Sequence, residues 1–282
     1  MTCFSYTNGK FIPSYKAKIS INDRSVHFSD AVYEVVTVYN HRMLFWKDHI
    51  DRLKKSLNAI DIKFNMSFRS LLIKCEELIK KNHLREGIIY IHISRGIAKR
   101  NHNWNNNIFP SLIISCSHKK TYNINAKKIA LISHKDIRWN NCHIKTVSLL
   151  PNVLLKQKAL NKSAFECLML DDQGYITEAT TSNIWILKND TLITTPLTSN
   201  ILPGVTRKKL IELANILNIK VCENKFKESD VFKADNVFIT NSSAIILEAN
   251  KLNGKKLKVS NNQILKNIKS EILKVINHEQ AR

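Results

Sequence analysis

Apolar positions recur at two periods along this chain, and the switch between them marks out its elements. Cys3–Tyr6 and Lys10–Ile12 flank Asn8-Gly9, a strong two-residue turn signal, and predict a hairpin. Asp23-Arg24 then opens a loop. Ala31–Tyr39 alternates as a strand does, with Tyr33, Val35 and Thr37 on one face and Val32, Glu34, Val36 and Val38 on the other. Asn40-His41-Arg42 turns the chain into an expected second strand, Met43–Trp46. From Asp48 to Ala59 the spacing of Ile50, Leu53 and Leu57, continued by Ile60, predicts an amphipathic helix. Ser67–Lys81 predicts another helix. Ile88–Ser94, preceded by Gly87, and Ser111–Ser117 predict strands. Lys119–Ala126 is polar and loop-like, which places a boundary between an N-terminal domain, residues 1–120, and a C-terminal one, residues 121–282.

The second half begins with an expected strand, Lys128–Ser133. Ile144-Lys145-Thr146 and the apolar run Val147–Leu150 read as a buried strand end, and Pro151–Lys158 as a helix opening on Pro-Asn. Phe165–Leu170 is a strand that Gly174 turns. In I-T-E-A-T-T-S-N, Ile176–Asn183, Glu178 ends a short apolar strand and a run of hydroxyls follows. Ile184–Leu187 and Leu192–Thr194 pair about Asn189-Asp190. Ile201–Arg207 leads into an amphipathic helix ending near Leu217. Lys220–Glu223 and Asn236–Thr240 are strands, the latter running into Asn-Ser-Ser, and Asn262–Val275 is a last helix.

Composition narrows the picture. The 282 residues are 44% hydrophobic and 24% charged, ordinary for a soluble globular protein. No apolar run is long enough to span a bilayer, and the N-terminus carries no basic-then-apolar signal. The six cysteines form no C-x-x-C pair, which argues against a zinc site or a disulfide framework and for a reducing cytoplasm. A net charge of +21 raises nucleic-acid binding as an alternative. The lysines are spread out, however, and no helix-turn-helix, zinc-finger or RNP pattern accompanies them. The expectation is no metal, no nucleic acid and no membrane.

Four places carry candidate chemistry. Lys145 stands between β-branched neighbours, unlike a solvated lysine. An ordinary lysine titrates near ~10.4, so only about one amine in a thousand is free at neutral pH; burial or covalent attachment removes that limit. His49 and Arg52 sit near a helix start, where the dipole favours an anion such as phosphate. Arg100 and His102 are two apart in S-R-G-I-A-K-R-N-H, so in an extended loop they point the same way and offer a fork and an imidazole to a carboxylate. Pro-Gly-Val-Thr before a helix leaves backbone N–H groups for a phosphate.

Taken together, H-I-D-R-L (His49–Leu53), D-I-R-W-x-x-C-x-I-K (Asp136–Lys145), L-L-P-N-V-L-x-K-Q (Leu149–Gln157), T-E-x-x-x-S-N (Thr177–Asn183) and L-P-G-V-T-R (Leu202–Arg207) resemble the fold-type IV, or class IV, aminotransferases. The resemblance spans nearly the whole chain in order. It implies a two-domain α+β fold with a smaller N-terminal α/β domain and a larger C-terminal pseudo-barrel domain, and pyridoxal 5′-phosphate as cofactor. Lys145 would hold the cofactor as a Schiff base and carry the substrate proton. Glu178 would face the pyridine nitrogen and keep it protonated. Arg52, the amides of Val205 and Thr206 and the loop at Ser242 would bind the phosphate, and Leu202 would pack on the ring.

Within the family, R-G-x-x-x-R-x-H (Arg95–His102) resembles the D-amino-acid transaminase signature, with Arg100, His102 and Tyr33 trapping the substrate carboxylate. That implies transfer between D-alanine and 2-oxoglutarate, giving pyruvate and D-glutamate, in a cytoplasmic homodimer with its site at the subunit interface. The alternatives are a branched-chain L-amino-acid aminotransferase and then an aminodeoxychorismate lyase. The chain departs from the family pattern at Ser29 and Ala31, where glycines are usual, at His143, where an acid is common, and at Asn241 and Ala244 in the second hydroxyl loop.

Overall fold

The computed structural model describes residues 3–7, 9–105, 107–120 and 127–279. Asn8 of the expected turn and residues 121–126 of the expected linker lie outside them. The chain divides into two compact units, Met1–Thr121 with Ile144–Ser148, and Tyr122–His143 with Leu149–Arg282. The short segment carrying Lys145 therefore belongs to the first unit although it is embedded in the sequence of the second.

The first unit is an antiparallel sheet with helices on one face. Its elements are β1 (Phe4–Thr7), β2 (Lys10–Pro13), α1 (Arg24–Phe28), β3 (Ala31–Tyr39), β4 (Arg42–Met43), α2 (Trp46–Ala59), α3 (Phe68–Lys81), β5 (Gly87–Ser94) and β6 (Ser111–His118). The strand order is β2-β1-β6-β5-β3-β4. The alternation expected of β3 is realised: Val32, Val36 and Val38 enter a core with Leu53 and Leu57 of α2 and Leu71 and Leu78 of α3. Tyr33 stands on the opposite face, directly across from His92 of β5, with Val35 across from Tyr90.

Two expectations fail here. Asp23-Arg24 does not open a loop: Asp23 caps α1, its carboxylate accepting from the Ser25 N–H at 2.9 Å. The strand expected over Met43–Trp46 ends at Met43. Phe45 has φ 53°, a left-handed conformation that breaks the ladder, and Trp46 already begins α2.

The second unit is built on a mixed nine-stranded sheet. Its elements are β7 (Ile129–Lys135), α4 (Leu150–Asn161), β8 (Glu166–Leu170), β9 (Ile176–Ala179), β10 (Asn183–Lys188), β11 (Thr191–Thr194), α5 (Val205–Ile216), β12 (Val221–Glu223), α6 (Glu228–Lys233), β13 (Asn236–Asn241), β14 (Ile245–Leu252), β15 (Lys255–Lys256) and α7 (Gln263–Glu279). The order is β12-β11-β10-β13-β14-β7-β8-β9, with β15 on β14. One core joins Leu131, Leu168, Ile184, Ile239 and Leu247, and a second places Leu155 and Ala159 of α4 against β7 and β8. The elements α1, α6, β14 and β15 were not anticipated.

The buried strand end expected at Lys145 is absent. Residues 144–148 form an irregular segment with a single bridge, Thr146 to Val32. Its backbone is spent on separate partners: Tyr33 N–H donates to the Lys145 carbonyl at 3.0 Å and Val147 N–H to that of Ala31 at 3.1 Å. Nor is the following apolar run buried, since Leu150 is 68% exposed. Leu155 and Ala159 form the inward face of α4, which leaves Leu150, Val153 and Leu154 outside.

Candidate active site

The chemistry expected from the sequence falls into three groups of side chains, each assembled inside one unit. The first surrounds Lys145. Helix α2 buries two stripes, one apolar (Ile50, Leu53, Leu57) and one polar (His49, Arg52, Ser56). The polar stripe follows from i, i+3, i+7 spacing, which aligns side chains along a helix. Glu34, fully buried on the core face of β3, reaches it. Arg52 grips Glu34 with two parallel bonds, Nε–H to Oε1 at 2.7 Å and Nη2–H to Oε2 at 2.8 Å. His49 Nδ1 lies 2.7 Å from Oε2. Burial alone would push the Glu34 carboxyl up; Arg52 and His49 outweigh it and hold it well below the usual carboxylate range. Burial lowers His49, so a neutral imidazole donates from Nδ1 to Glu34.

Ser56 extends the stripe to the Lys145 segment, its Oγ accepting from the Lys145 N–H at 3.1 Å. The lysine side chain is half-buried, and its Nζ stands 4.2 Å from the centroid of the Tyr33 ring. The amine thus meets an aromatic face, while Glu34 is committed to Arg52 and His49. Tyr33 also packs on Tyr90 at 5.7 Å, whose hydroxyl meets His92 Nδ1 at 3.1 Å. Burial pushes Tyr90 up to about 12.

The second group is the loop after β5. Gly96 has φ +117°, and a Cβ there would stand 2.0 Å from the Phe109 carbonyl oxygen, so this turn admits only glycine. Asp30 binds two arginines at once, accepting from Arg24 Nε and Arg95 Nε, each at 2.7 Å. Arg95 also donates to the carbonyls of Ile60 and Asp61 at the end of α2, at 2.6 and 2.9 Å. Beyond this anchor Arg100 and His102 are exposed, and both meet the Phe28 ring, at 5.4 and 5.3 Å. The two expected trap residues are therefore brought together. Tyr33, the third, packs instead with Tyr90 and Lys145.

The third group, in the second unit, centres on Glu178. Its Oε2 accepts from Leu202 N–H at 3.2 Å and Asn183 Nδ2 at 3.1 Å, and its Oε1 from Arg138. Arg138 also pairs with Asp136, Nη2 to Oδ2 at 2.7 Å, and donates to the Asn200 carbonyl at 3.1 Å. One guanidinium thus faces two carboxylates, Glu178 buried and Asp136 partly so, an excess of one negative charge. Burial pushes Glu178 up to about 7 despite Arg138, whereas the more exposed Asp136 is held below its ordinary value by the same guanidinium.

Helix α5 begins beside this carboxylate. Gly204 caps it without a side-chain bond, and a Cβ there would lie 2.0 Å from Asn183 Oδ1. Thr206, in the first turn, is 2% exposed and its hydroxyl has no hydrogen-bond partner among the described residues. Ser242 lies in the turn between β13 and β14, which Asn241 organises. The Asn241 side-chain Oδ1 accepts from Ala244 N–H at 2.7 Å, and its Nδ2 donates to Ser182 Oγ at 2.9 Å.

Comparison with known proteins decides the family. The family model for class IV aminotransferases matches residues 31–252. The chain is a class IV aminotransferase. It is 33% identical over 248 residues to a D-alanine aminotransferase of Bacillus licheniformis, covering 88% of this chain and 87% of that one. A D-alanine aminotransferase of Staphylococcus aureus is 32% identical over 251 residues, covering 88% and 89%. The solved branched-chain amino acid aminotransferase of Escherichia coli superposes with a TM-score of 0.89, covering 98% of this chain and 95% of that one, at 23% identity.

Class IV aminotransferases use pyridoxal 5′-phosphate. The second unit fits that group at two points. The orphaned Thr206 hydroxyl at an uncapped helix start suits a phosphate. The Glu178 carboxylate has four acceptor positions, three of them filled, in a cluster short of one positive charge, which suits a protonated ring nitrogen. Among the described residues no cluster of three or more His, Cys, Asp or Glu could hold a metal, and no helix is long and apolar enough to cross a membrane. Reading the sequence missed Glu34, Asp136 and Arg138 as functional groups. Glu34 had left a signal, an acid in phase with three buried valines.

Proposed function

We propose that this class IV aminotransferase transfers the amino group between D-amino acids and 2-oxo acids, D-alanine and 2-oxoglutarate giving pyruvate and D-glutamate. The observation that carries this reading is the Arg95–His102 loop, closed at Gly96 and presenting Arg100 and His102 together. The two D-alanine aminotransferase relatives support it. The likeness to the branched-chain enzyme, at 23% identity, concerns the fold and does not bear on substrate.

Bound pyridoxal phosphate supplies the electron sink that accepts the pair left on the substrate α-carbon. The chain's residues do the rest. Lys145 holds the cofactor through its amine and afterwards moves the proton at the α-carbon. Its head stands 4.2 Å from the centroid of the Tyr33 ring, which positions the amine. Glu178 keeps the ring nitrogen protonated, and Arg138 keeps Glu178 ionised. Leu202 packs on the ring while its N–H orients Glu178. Val205 and Thr206, Ser242 and Arg52 bind the phosphate. Glu34 and His49 hold Arg52 in place.

Arg100, His102 and Tyr33 receive the substrate carboxylate. A charge-assisted hydrogen bond contributes about 1.5–3 kcal/mol, and every 1.4 kcal/mol is tenfold, so the anchor alone can select one enantiomer. The reading includes a cytoplasmic homodimer.

The test offers D-alanine and L-leucine in parallel with 2-oxoglutarate. D-alanine should be the better donor by kcat/KM. A preference for L-leucine would reassign the enzyme to branched-chain substrates. Lys145→Ala should abolish both the cofactor's absorbance on the protein and turnover. Arg100→Leu should damage D-alanine turnover far more than cofactor binding.

A further inference from the structure

We propose that Arg24 is a positioning residue of the carboxylate trap: it holds the main chain of Asn101–Asn103 and so sets where Arg100 and His102 point. The inference rests on the reading that those two side chains receive the substrate carboxylate. Arg24 lies in α1, more than seventy residues earlier in the chain, and is 3% exposed. Its guanidinium is committed along three edges. Nε–H donates to Asp30 at 2.7 Å, Nη1 to the Asn101 carbonyl at 2.6 Å and that of Asn103 at 3.4 Å, and Nη2 to the His102 carbonyl at 3.2 Å. Three consecutive carbonyls of an otherwise exposed loop thus converge on one buried cation. They flank the two trap residues, Arg100 immediately before and His102 in their midst.

The surroundings fix the cation in turn. Its plane lies over Phe28 at 4.7 Å and near Trp104 at 5.8 Å. Phe28 is also the ring that Arg100 and His102 meet. Backbone bonds complete the clamp, Arg24 N–H to the Gly96 carbonyl at 2.9 Å and Ala98 N–H to that of Asn22 at 3.1 Å. Among the described residues between Gly96 and Ser111 the loop has one isolated bridge, Ile97 to Asp23, and no strand, so contacts from outside the loop shape it. A planar fork presents donors at fixed angles to three carbonyls at once; an ammonium is a compact point charge whose rotatable donors impose no such fixed geometry. Displacing a substrate-positioning group by an ångström is enough for a large kinetic loss.

The experiment compares holoenzyme Arg24→Lys and Arg24→Gln with Arg100→Leu. Steady-state kinetics use D-alanine with 2-oxoglutarate, and a separate single-turnover measurement uses ethylamine, an amine without a carboxylate. For Arg24→Lys the KM for D-alanine should rise about tenfold, with kcat changed by less than about threefold. The loss in kcat/KM should be at least about tenfold larger for D-alanine than for ethylamine. Arg24→Gln should lose more, and Arg24→Lys, which keeps a cation beside Asp30, carries the test if the glutamine variant does not fold. Equal losses for D-alanine and ethylamine would mean a merely structural role and overturn the proposal. If Arg100→Leu raises the KM for D-alanine while Arg24→Lys does not, the positioning role alone is refuted. If Arg100→Leu leaves that KM unchanged, the trap assignment fails and the role of Arg24 falls with it.

Discussion

Arg138→Gln tests the charge arrangement around Glu178. The substitution removes the cation that faces both Asp136 and Glu178 and leaves a neutral donor of similar reach. Breaking a buried ion pair by removing one partner costs about 3–5 kcal/mol, because the other charge stays buried. Here the cost should depend on pH. In the cofactor-free protein Glu178 titrates near 7, above its ordinary value of 4.5, so its ionisation opposes folding. Wild-type stability drawn from this group therefore falls as pH rises from about 4.5 to about 7, and is level above. Without Arg138 the folded-state pKa moves higher still, and the variant goes on losing stability where the wild type has stopped. The gap between them should be flat from pH 5.5 to 7 and then widen by about 1.4 kcal/mol per pH unit, roughly 2 kcal/mol by pH 8.5. Urea unfolding of cofactor-free protein at pH 6, 7, 8 and 8.5 measures it. A gap of the same size at pH 6 and 8.5 would refute the argument, since Glu178 would then not be the group that Arg138 holds ionised.

Three other substitutions probe separate parts. Thr206→Val removes a buried hydroxyl that has no hydrogen-bond partner among the described residues, so cofactor-free protein should gain about 1 kcal/mol while affinity for pyridoxal phosphate falls about tenfold, by thermal melts and a spectroscopic titration. Ser29→Gly should stabilise by about 0.5–1 kcal/mol in denaturant unfolding, because Ser29 has φ 55° and glycine adopts that conformation without a Cβ clash. Glu34→Gln removes the buried carboxylate that Arg52 pairs with and should cost about 3–5 kcal/mol by the same measurement, lowering phosphate affinity with it.

The fold was legible wherever a period persisted. β3 begins and ends where its alternation does, and α3 starts one residue after the serine that caps it. The paired strands around Asn189-Asp190 follow from a dipeptide whose φ angles, 47° and 58°, suit a tight primed turn. Legibility failed where a single backbone conformation overrode the pattern. Phe45 in the left-handed region converts an expected strand into a helix start, and nothing in its side chain announces that. Ile245, a β-branched residue at φ 59°, opens β14, and the hydroxyl-rich stretch before it hid the strand behind a loop. Lys145 drew notice for its apolar neighbours, yet it lies in an irregular segment held by Ser56, Tyr33 and Ala31.

The candidate site was legible as motifs and much less so as charges in space. Arg52 was expected to meet a phosphate; it also grips Glu34, a residue that the alternation of β3 had placed in phase with the inward valines. A carboxylate in phase with a buried apolar face cannot be left without a cation, so its presence there predicts a basic residue on whatever element covers the strand. The next helix offers such residues only if it buries a polar stripe beside its apolar one. His49, Arg52 and Ser56, at i, i+3 and i+7, supply that stripe. The same reasoning applies to Asp136 and Glu178 with Arg138, except that Glu178 lies in a four-residue strand with no longer alternation to betray it. Inward-phased acids in long strands are thus readable as halves of buried ion pairs, and those in short strands emerge only when the fold brings the guanidinium to them.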